Sequence, residues 1–323
     1  MTIRRTLLLA GLLCVAAAPV PAQPAWPSKP IRIVVPYGPG SSPDVLVRLF
    51  SDKLGKSLGQ PVVVENRAGA GGNTGTDYVA KAAPDGYTFL VSTNGPLVYS
   101  TVFNPKLPYD PFKDLAPVTL AGVQPNVCAV SNDMKVEDVK GWVAAMKKDP
   151  GKYNYSSTGV GSMSHLSVEI VKLKSDSYAV HLPYASSPLA VLAIMQGDVQ
   201  FACVPPVAVM PQAKAGKLKA IAVTSAKRSK LAPELPTMAE SGFPDIQALA
   251  WMAIMAPAKT SPEIINRMNK EIVAILTEPE TQQKLAMAYM ESVGSTPQEL
   301  AKWMTEERAR WAPVIKHVGL TAN

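Results

Sequence analysis

Residues 31–44 read Ile-Arg-Ile-Val-Val-Pro-Tyr-Gly-Pro-Gly-Ser-Ser-Pro-Asp. The β-branched run 31–35 is a strand, and Gly38 and Gly40 let the chain turn sharply after it. From Pro43 to Leu58 the apolar positions Val45, Leu46, Leu49, Phe50 and Leu54 fall on one helical face. Ser42 is placed to cap this helix, with Pro43 as its first residue. A strand at 62–64, a helix at 78–83 and a strand at 87–92 follow, and this order argues for a parallel sheet covered on both faces. A second unit begins near Asn126. It has strands at 127–130, 153–156, 178–182, 199–204 and 218–224, and helices at 136–147, 164–173 and 188–195. Beyond it the pattern is mostly helical (262–277, 279–289, 297–318), and Ser261-Pro262 and Thr296-Pro297 fit a cap followed by a first-turn proline. If these helices return to the first unit, the chain crosses near 115–126 and near 222–250. Two crossings make a hinge beside a closable cleft. The expected division is one lobe from 23–124 and 223–323 and another from 125–222.

The N-terminus fixes the compartment. Arg4 and Arg5 precede an apolar stretch over 7–18, and Val20-Pro21-Ala22 suits a signal peptidase, so the chain is expected to be exported to the periplasm and cleaved after Ala22. A lipoprotein signal at Cys14 is disfavoured by the bulky Leu13. About 300 residues remain, typical of two lobes, and the formal charge of +7 falls to about +5. No basic run interleaved with aromatics marks a nucleic-acid surface. His165, His181 and His317 lack ligand spacing, so no metal is expected. Cys128 and Cys203 lie in apolar strand-like runs. An oxidising compartment permits a bridge that spacing cannot show, and the expectation is two buried small hydrophobic residues.

Several loops share one design, and in open α/β sheets ligands bind beyond the strands' carboxyl ends. Pro39, Gly40, Ser41, Ser42 and Asp44 lie between the first strand and its helix, where free N–H groups and the helix dipole suit a carboxylate. Thr93 and Asn94 follow the third strand. Thr158, Gly159, Ser162 and His165 open a helix of the second unit, as do Tyr184 and Ser186. Hydroxyls and backbone N–H groups dominate, an anion site made of dipoles. Gly38 and Gly40 imitate a dinucleotide fingerprint, but Pro43 stands at the third glycine and no cofactor is expected. No Gly-x-Ser-x-Gly elbow occurs, and Ser164 and His165, adjacent at a helix start, do not face each other, so an enzyme is not expected.

The chain resembles the Bug-type receptors of tripartite tricarboxylate transporters. The resemblance rests on Trp26-Pro27-Ser28-Lys29-Pro30-Ile31, Val34-Val35-Pro36, the run Leu58-Gly59-Gln60-Pro61 through Glu65-Asn66-Arg67-Ala68-Gly69-Ala70-Gly71-Gly72-Asn73, and Ala83-Pro84-Asp85-Gly86-Tyr87-Thr88. Leu107-Pro108-Tyr109-Asp110-Pro111, Ala215-Gly216-Lys217-Leu218, Ala222-Val223-Thr224-Ser225 and Pro236-Thr237-Met238-Ala239-Glu240-Ser241-Gly242 extend it over the mature chain. It implies a two-lobed α/β fold like type II periplasmic binding proteins, each lobe a mostly parallel sheet flanked by helices. It also implies a monomer that holds a small carboxylate through 39–44 and 158–165 and passes it to a membrane permease. The rival within this reading is a sensor that signals to a membrane kinase. Two positions depart from the family's pattern: Ser41 replaces a glycine, and Cys203-Val204 stands where Phe-Asp is common. Val204 in place of an aspartate implies a ligand with an apolar or aromatic portion rather than an amino acid.

Overall fold

A computed structural model describes residues 26–230, 232–244 and 246–321. The export signal at 1–22, with its cleavage point, lies outside them. The chain begins β1 (Ile31–Val35), α1 (Ser42–Leu58), β2 (Val62–Asn66), α2 (Asn73–Ala80) and β3 (Thr88–Thr93). A π-helical turn (Gly95–Tyr99), α3 (Ser100–Phe103) and the long strand β4 (Leu115–Pro125) follow. Next come β5 (Val127–Val130), α4 (Val139–Lys148), β6 (Asn154–Ser157), α5 (Met163–Ser175), β7 (Val180–Pro183) and α6 (Ser187–Gln196). Then β8 (Phe201–Val204), α7 (Pro206–Lys214) and β9 (Lys219–Val223) complete this stretch. The remainder is β10 (Leu249–Pro257), α8 (Pro262–Leu276), α9 (Pro279–Met287), β11 (Glu291–Ser292) and α10 (Pro297–Val318).

Two sheets result, ordered β11-β4-β10-β3-β1-β2 and β7-β6-β8-β5-β9. Both are mixed. In the first, β1 pairs parallel with β2 and β3, while β10 runs antiparallel to β3 and β4. In the second, β6 pairs parallel with β7 and β8, and β5 runs antiparallel to β8 and β9. Three strands absent from the sequence reading, β4, β10 and the two-residue β11, account for the antiparallel part of the first sheet. β10 reads Leu-Ala-Trp-Met-Ala-Ile-Met-Ala-Pro and is buried along nearly its whole length. It therefore lacks the two-residue alternation of a half-exposed strand and looks like a buried helix segment.

The chain passes from the first sheet to the second through Asn126 alone, and returns between Val223 and Leu249. The two passages are tied together. Asn126 N–H donates to Thr224 Oγ1 (2.9 Å), and Thr224 N–H donates to Asn126 O (3.0 Å). Thr224 Oγ1 then donates to Ala248 O (2.6 Å), whose own N–H returns to Thr224 O (2.7 Å).

The return segment seals the first sheet. Glu307 of α10 is buried and accepts hydrogen bonds from Tyr99 Oη and Trp251 Nε1, both 3.1 Å. Apolar cores line the sheets, one holding Ile33, Phe50, Phe89 and Ile272, another Val127, Ile194, Val204 and Val209. Cys128 and Cys203 correct an expectation. They face each other in the antiparallel β5–β8 ladder and form a disulfide across 75 residues of chain. Strand register brings the pair together, and spacing in sequence carried no trace of it. Among the described residues no helix is long and apolar enough to cross a membrane.

Candidate ligand-binding site

Helix starts define the site. α1 and α6 both begin with Ser-Ser-Pro. The caps are Ser41 and Ser186, so Ser42 and Ser187 are already the first helical residues and the prolines the second. This corrects the assignment of the cap to Ser42. Proline lacks the N–H that would be unsatisfied there, so its place costs little. α5 opens on its cap Ser162, whose Oγ accepts from His165 N–H. α7 opens on Pro205-Pro206.

The first turns of these four helices meet at one buried cavity between the two sheets. Ser41, Ser42 and Pro43 line it from α1, and Ser162, Met163 and Ser164 from α5. Ser187 and Pro205 complete the second-sheet wall, while Thr93, Asn94 and Tyr37 belong to the first. Gln124 and Asn126 lie at the passage between sheets, Ala250 and Met252 form the floor, and Thr158 stands at the rim. No Lys, Arg, His, Asp or Glu lines it. Each helix start carries roughly half a positive charge, so the potential is positive without any ion.

Five buried polar atoms on these walls make no hydrogen bond within the protein: Ser41 Oγ, Ser187 Oγ, Gln124 Oε1, and Asn126 Oδ1 and Nδ2. Leaving such atoms unpaired in a dry interior costs about 1–3 kcal/mol each, so their convergence points to a polar guest. Other groups are pre-set. Gln124 Nε2 donates to Ser42 Oγ (2.7 Å). Asn94 Nδ2 donates to Leu249 O (3.1 Å) and Tyr99 Oη (3.0 Å). Tyr37 Oη bonds Thr93 Oγ1 at 2.7 Å, and burial, against the pull of that bond, drives its pKa upward, so the phenol stays neutral. Free room in the cavity is about 40 Å³, enough for a carboxylate-sized group or a few waters, and the two sheets stand close together.

Six residues named from sequence line this cavity: Ser41, Ser42, Thr93, Asn94, Thr158 and Ser162. The other eight do not. Pro39 is exposed. Gly40 N–H donates to Asp44 Oδ2 (2.9 Å), and Asp44 also accepts from Arg48 Nε (3.0 Å) and Asn66 Nδ2 (2.9 Å). Burial pushes the Asp44 pKa up, but the bonds from Arg48, Gly40 and Asn66 outweigh it and hold the carboxyl below its ordinary value. Asp44 braces the loop from behind. Ser186 caps α6 (Leu189 N–H to Oγ, 3.4 Å). Val204 is fully buried in the second sheet's core, so the departure at this position does not shape the cavity wall. Gly159 and Tyr184 line a second, outer chamber of about 350 Å³, which shares Tyr37 and Thr158 with the inner one.

His165 also lies behind the wall. Its Nδ1 accepts from Gly161 N–H (3.1 Å), and its ring stacks on His181 with centroids 3.8 Å apart. His181 Nε2 bonds Ser157 Oγ at 2.6 Å, and Ser157 Oγ accepts from Gly159 N–H at 3.0 Å. Two imidazoles thus hold the loop 157–161.

Sequence reading missed Gln124, Asn126 and Ser187. The repeated Ser-Ser-Pro gave a usable signal for Ser187. Gln124 and Asn126 had none, being at the end of an unrecognised strand. A larger groove of about 660 Å³ runs between α5 and α10, lined by Ile170, Leu173, Trp311 and Val314. Among the described residues, none of the buried unpartnered polar atoms lies on it, so chemistry rather than size selects the site.

With this geometry the chain matches the model of the tripartite tricarboxylate transporter family receptor over residues 46–320. Protein BugT of Bordetella pertussis is 36% identical over 323 residues, 99% of each chain. A solved R. palustris protein with adipate shares 32% identity at a TM-score of 0.89, covering 92% of this chain and 99% of that one. MatC from Rhodopseudomonas palustris with bound malate shares 29% identity at a TM-score of 0.86, covering 90% of this chain and all of the other.

Proposed function

The chain belongs to the tripartite tricarboxylate transporter receptor family, and on that premise we propose that it captures a small organic carboxylate in the periplasm and hands it to a membrane permease. The single observation that carries this is the meeting of four helix starts and five unpartnered polar atoms on one uncharged cavity walled by both sheets. Ser41 Oγ, Ser187 Oγ and Asn126 Nδ2 can donate to a carboxylate beside the helix-start N–H groups, without a counter-ion, while Gln124 Oε1 and Asn126 Oδ1 suit a hydroxyl or a bridging water. Relatives solved with adipate and with malate favour the same ligand class.

Residues 23–124 and 223–323 act as one jaw and 125–222 as the other. The cramped cavity supports a closed state, and Gly38 N–H donating to Ala185 O across the cleft (3.1 Å) is one bond that opening breaks. The disulfide suits an oxidising compartment, and cleavage after Ala22 is tested by the intact mass of the exported protein.

The test of capture is calorimetric titration of the purified protein with a panel of mono- and dicarboxylates. At least one binds, and Asn126→Ala weakens it by about tenfold or more, one hydrogen bond to a charged group contributing about 1.5–3 kcal/mol. If no carboxylate binds the folded protein, the proposal fails. Ligand-dependent cross-linking to a permease in membranes tests delivery.

A further inference from the structure

The unpartnered atoms of the inner cavity are not all donors, and the mixture describes the head of the ligand. Ser41 Oγ, Ser187 Oγ and Asn126 Nδ2 each carry a proton to give, whereas Gln124 Oε1 and Asn126 Oδ1 only accept. Asn126 is 1% exposed, and its amide makes no hydrogen bond within the protein at either end. Whichever way that amide is turned, it sets an acceptor beside a donor on the cavity wall. A bare carboxylate uses only the donor, because both of its oxygens accept. The acceptor is then left unpaired or holds a water, whose ordering costs entropy. A hydroxyl on the carbon next to the carboxylate supplies the missing proton with no extra molecule to order. An ammonium on the same carbon would also donate, but no Asp or Glu lines the cavity and the four helix starts make its potential positive. Asp44, behind the wall, is committed to Gly40 N–H, Arg48 and Asn66. A keto oxygen on that carbon adds one more acceptor and leaves the need unmet.

We propose that the ligand is a 2-hydroxy carboxylate and that Asn126 selects it, Oδ1 accepting from the hydroxyl while Nδ2 donates to the adjacent carboxylate. Gln124 Oε1 is the second acceptor on the same wall, and the Ser41 and Ser187 hydroxyls are further donors to the carboxylate. The backbone that carries Asn126 is pinned, its N–H donating to Thr224 Oγ1 (2.9 Å) and its O accepting from Thr224 N–H (3.0 Å), so the amide is presented from a fixed position. This rests on the reading of the inner cavity as a carboxylate site.

The experiment is calorimetric titration of the full exported chain with two matched series, in both enantiomers where the acid is chiral: lactate, propionate, pyruvate and alanine, then 2-hydroxyadipate, adipate, 2-oxoadipate and 2-aminoadipate. In a series that binds, the hydroxy acid should bind at least about tenfold more tightly than its three counterparts. The Asn126 side chain bonds nothing in the protein, so its replacement strands no partner, and thermal melts confirm that each variant is folded. Asn126→Ala should bring the hydroxy acid within about threefold of the unsubstituted acid. Asn126→Asp keeps the shape but places a carboxylate on the wall, and should turn the preference from the hydroxy acid to the amino acid. A counterpart that binds wild type as tightly as the hydroxy acid, another carboxylate that binds where no hydroxy acid does, or a hydroxy-acid preference that survives either substitution overturns this inference and leaves carboxylate capture standing. Failure of every carboxylate on folded wild type overturns both.

Discussion

Acidifying the protein from pH 7 to pH 5 should destabilise it through His165 and His181. Both rings are packed against Tyr155 and each other, with Glu169 and Lys172 beside them. His165 is lowered to about 3 by burial and then by Lys172. His181 is lowered to about 3 by burial, then by His165 and Lys172, with Glu169 pulling the other way. An unfolded histidine titrates near about 6.5. Because the folded values lie below the unfolded one, the unfolded chain binds more protons between pH 6.5 and pH 3, and stability falls as pH drops through that window. From pH 7 to pH 5 the buried His165 accounts for about 2 kcal/mol, and the partly exposed His181 for less. A total of about 3 kcal/mol corresponds to a fall in Tm on the order of 5 °C for a chain of this size. Carboxylates such as Asp44, already held low, lose their contribution only at lower pH. Thermal melts at pH 7, 6 and 5 read the effect. His165→Asn and His181→Gln keep an acceptor near Nδ1 and Nε2 respectively but cannot take a proton there, so the double variant should melt lower yet show little pH slope. A wild-type Tm that is flat from pH 7 to pH 5, or a double variant as steep as wild type, refutes the argument.

Three further outcomes follow from the geometry. Reducing the Cys128–Cys203 bridge, which spans 75 residues, should cost about 4 kcal/mol on the chain-entropy model, seen as a lower urea midpoint in reductant and no change for a Cys128→Ala/Cys203→Ala variant. Gly159→Ala would place a Cβ 2.4 Å from Gly71 Cα across the cleft, at a φ of +127°. It should leave a folded protein that binds ligand at least about tenfold more weakly and stays expanded by small-angle scattering when ligand is added; unchanged affinity would contradict the closed geometry. Glu307→Leu takes the acceptor from the Tyr99 hydroxyl proton and from Trp251 Nε1–H in the core and should cost about 2–4 kcal/mol by denaturant titration, whereas Glu307→Gln, which keeps an acceptor, should cost less.

The βα units were legible because β1 is a short β-branched run closed by a Pro/Gly turn, and because α1 repeats its apolar residues at helical spacing behind a Ser-Pro start, although β1 and β5 are buried nearly throughout. β4 and β10 were not, since strands buried on both sides lose alternation, and β4 adds Pro117 and Gly122 to an already atypical run. The site divided in the same way. Ser162 announces itself because capping chemistry is local, and Ser41 and Ser42 because Ser-Ser-Pro marks a helix start, although Ser41 Oγ makes no capping bond and Ser42 is already helical. Gln124 and Asn126 gain meaning only from a strand's end point, and the Cys128–Cys203 bond only from register. Asp44 and His165 have the chemistry of ligand contacts, but neighbours distant in sequence (Asn66 for one, His181 for the other) claim them for scaffolding.

Asn126 occupies both the passage between the sheets and the wall of the cavity. A point on a pivot travels through almost no arc when the arms turn. On the proposed motion of the two jaws, whatever Asn126 holds is held at the fulcrum, where grip survives while the rims separate, and release begins at the far lip, with Gly71 and Gly159 drawing apart first.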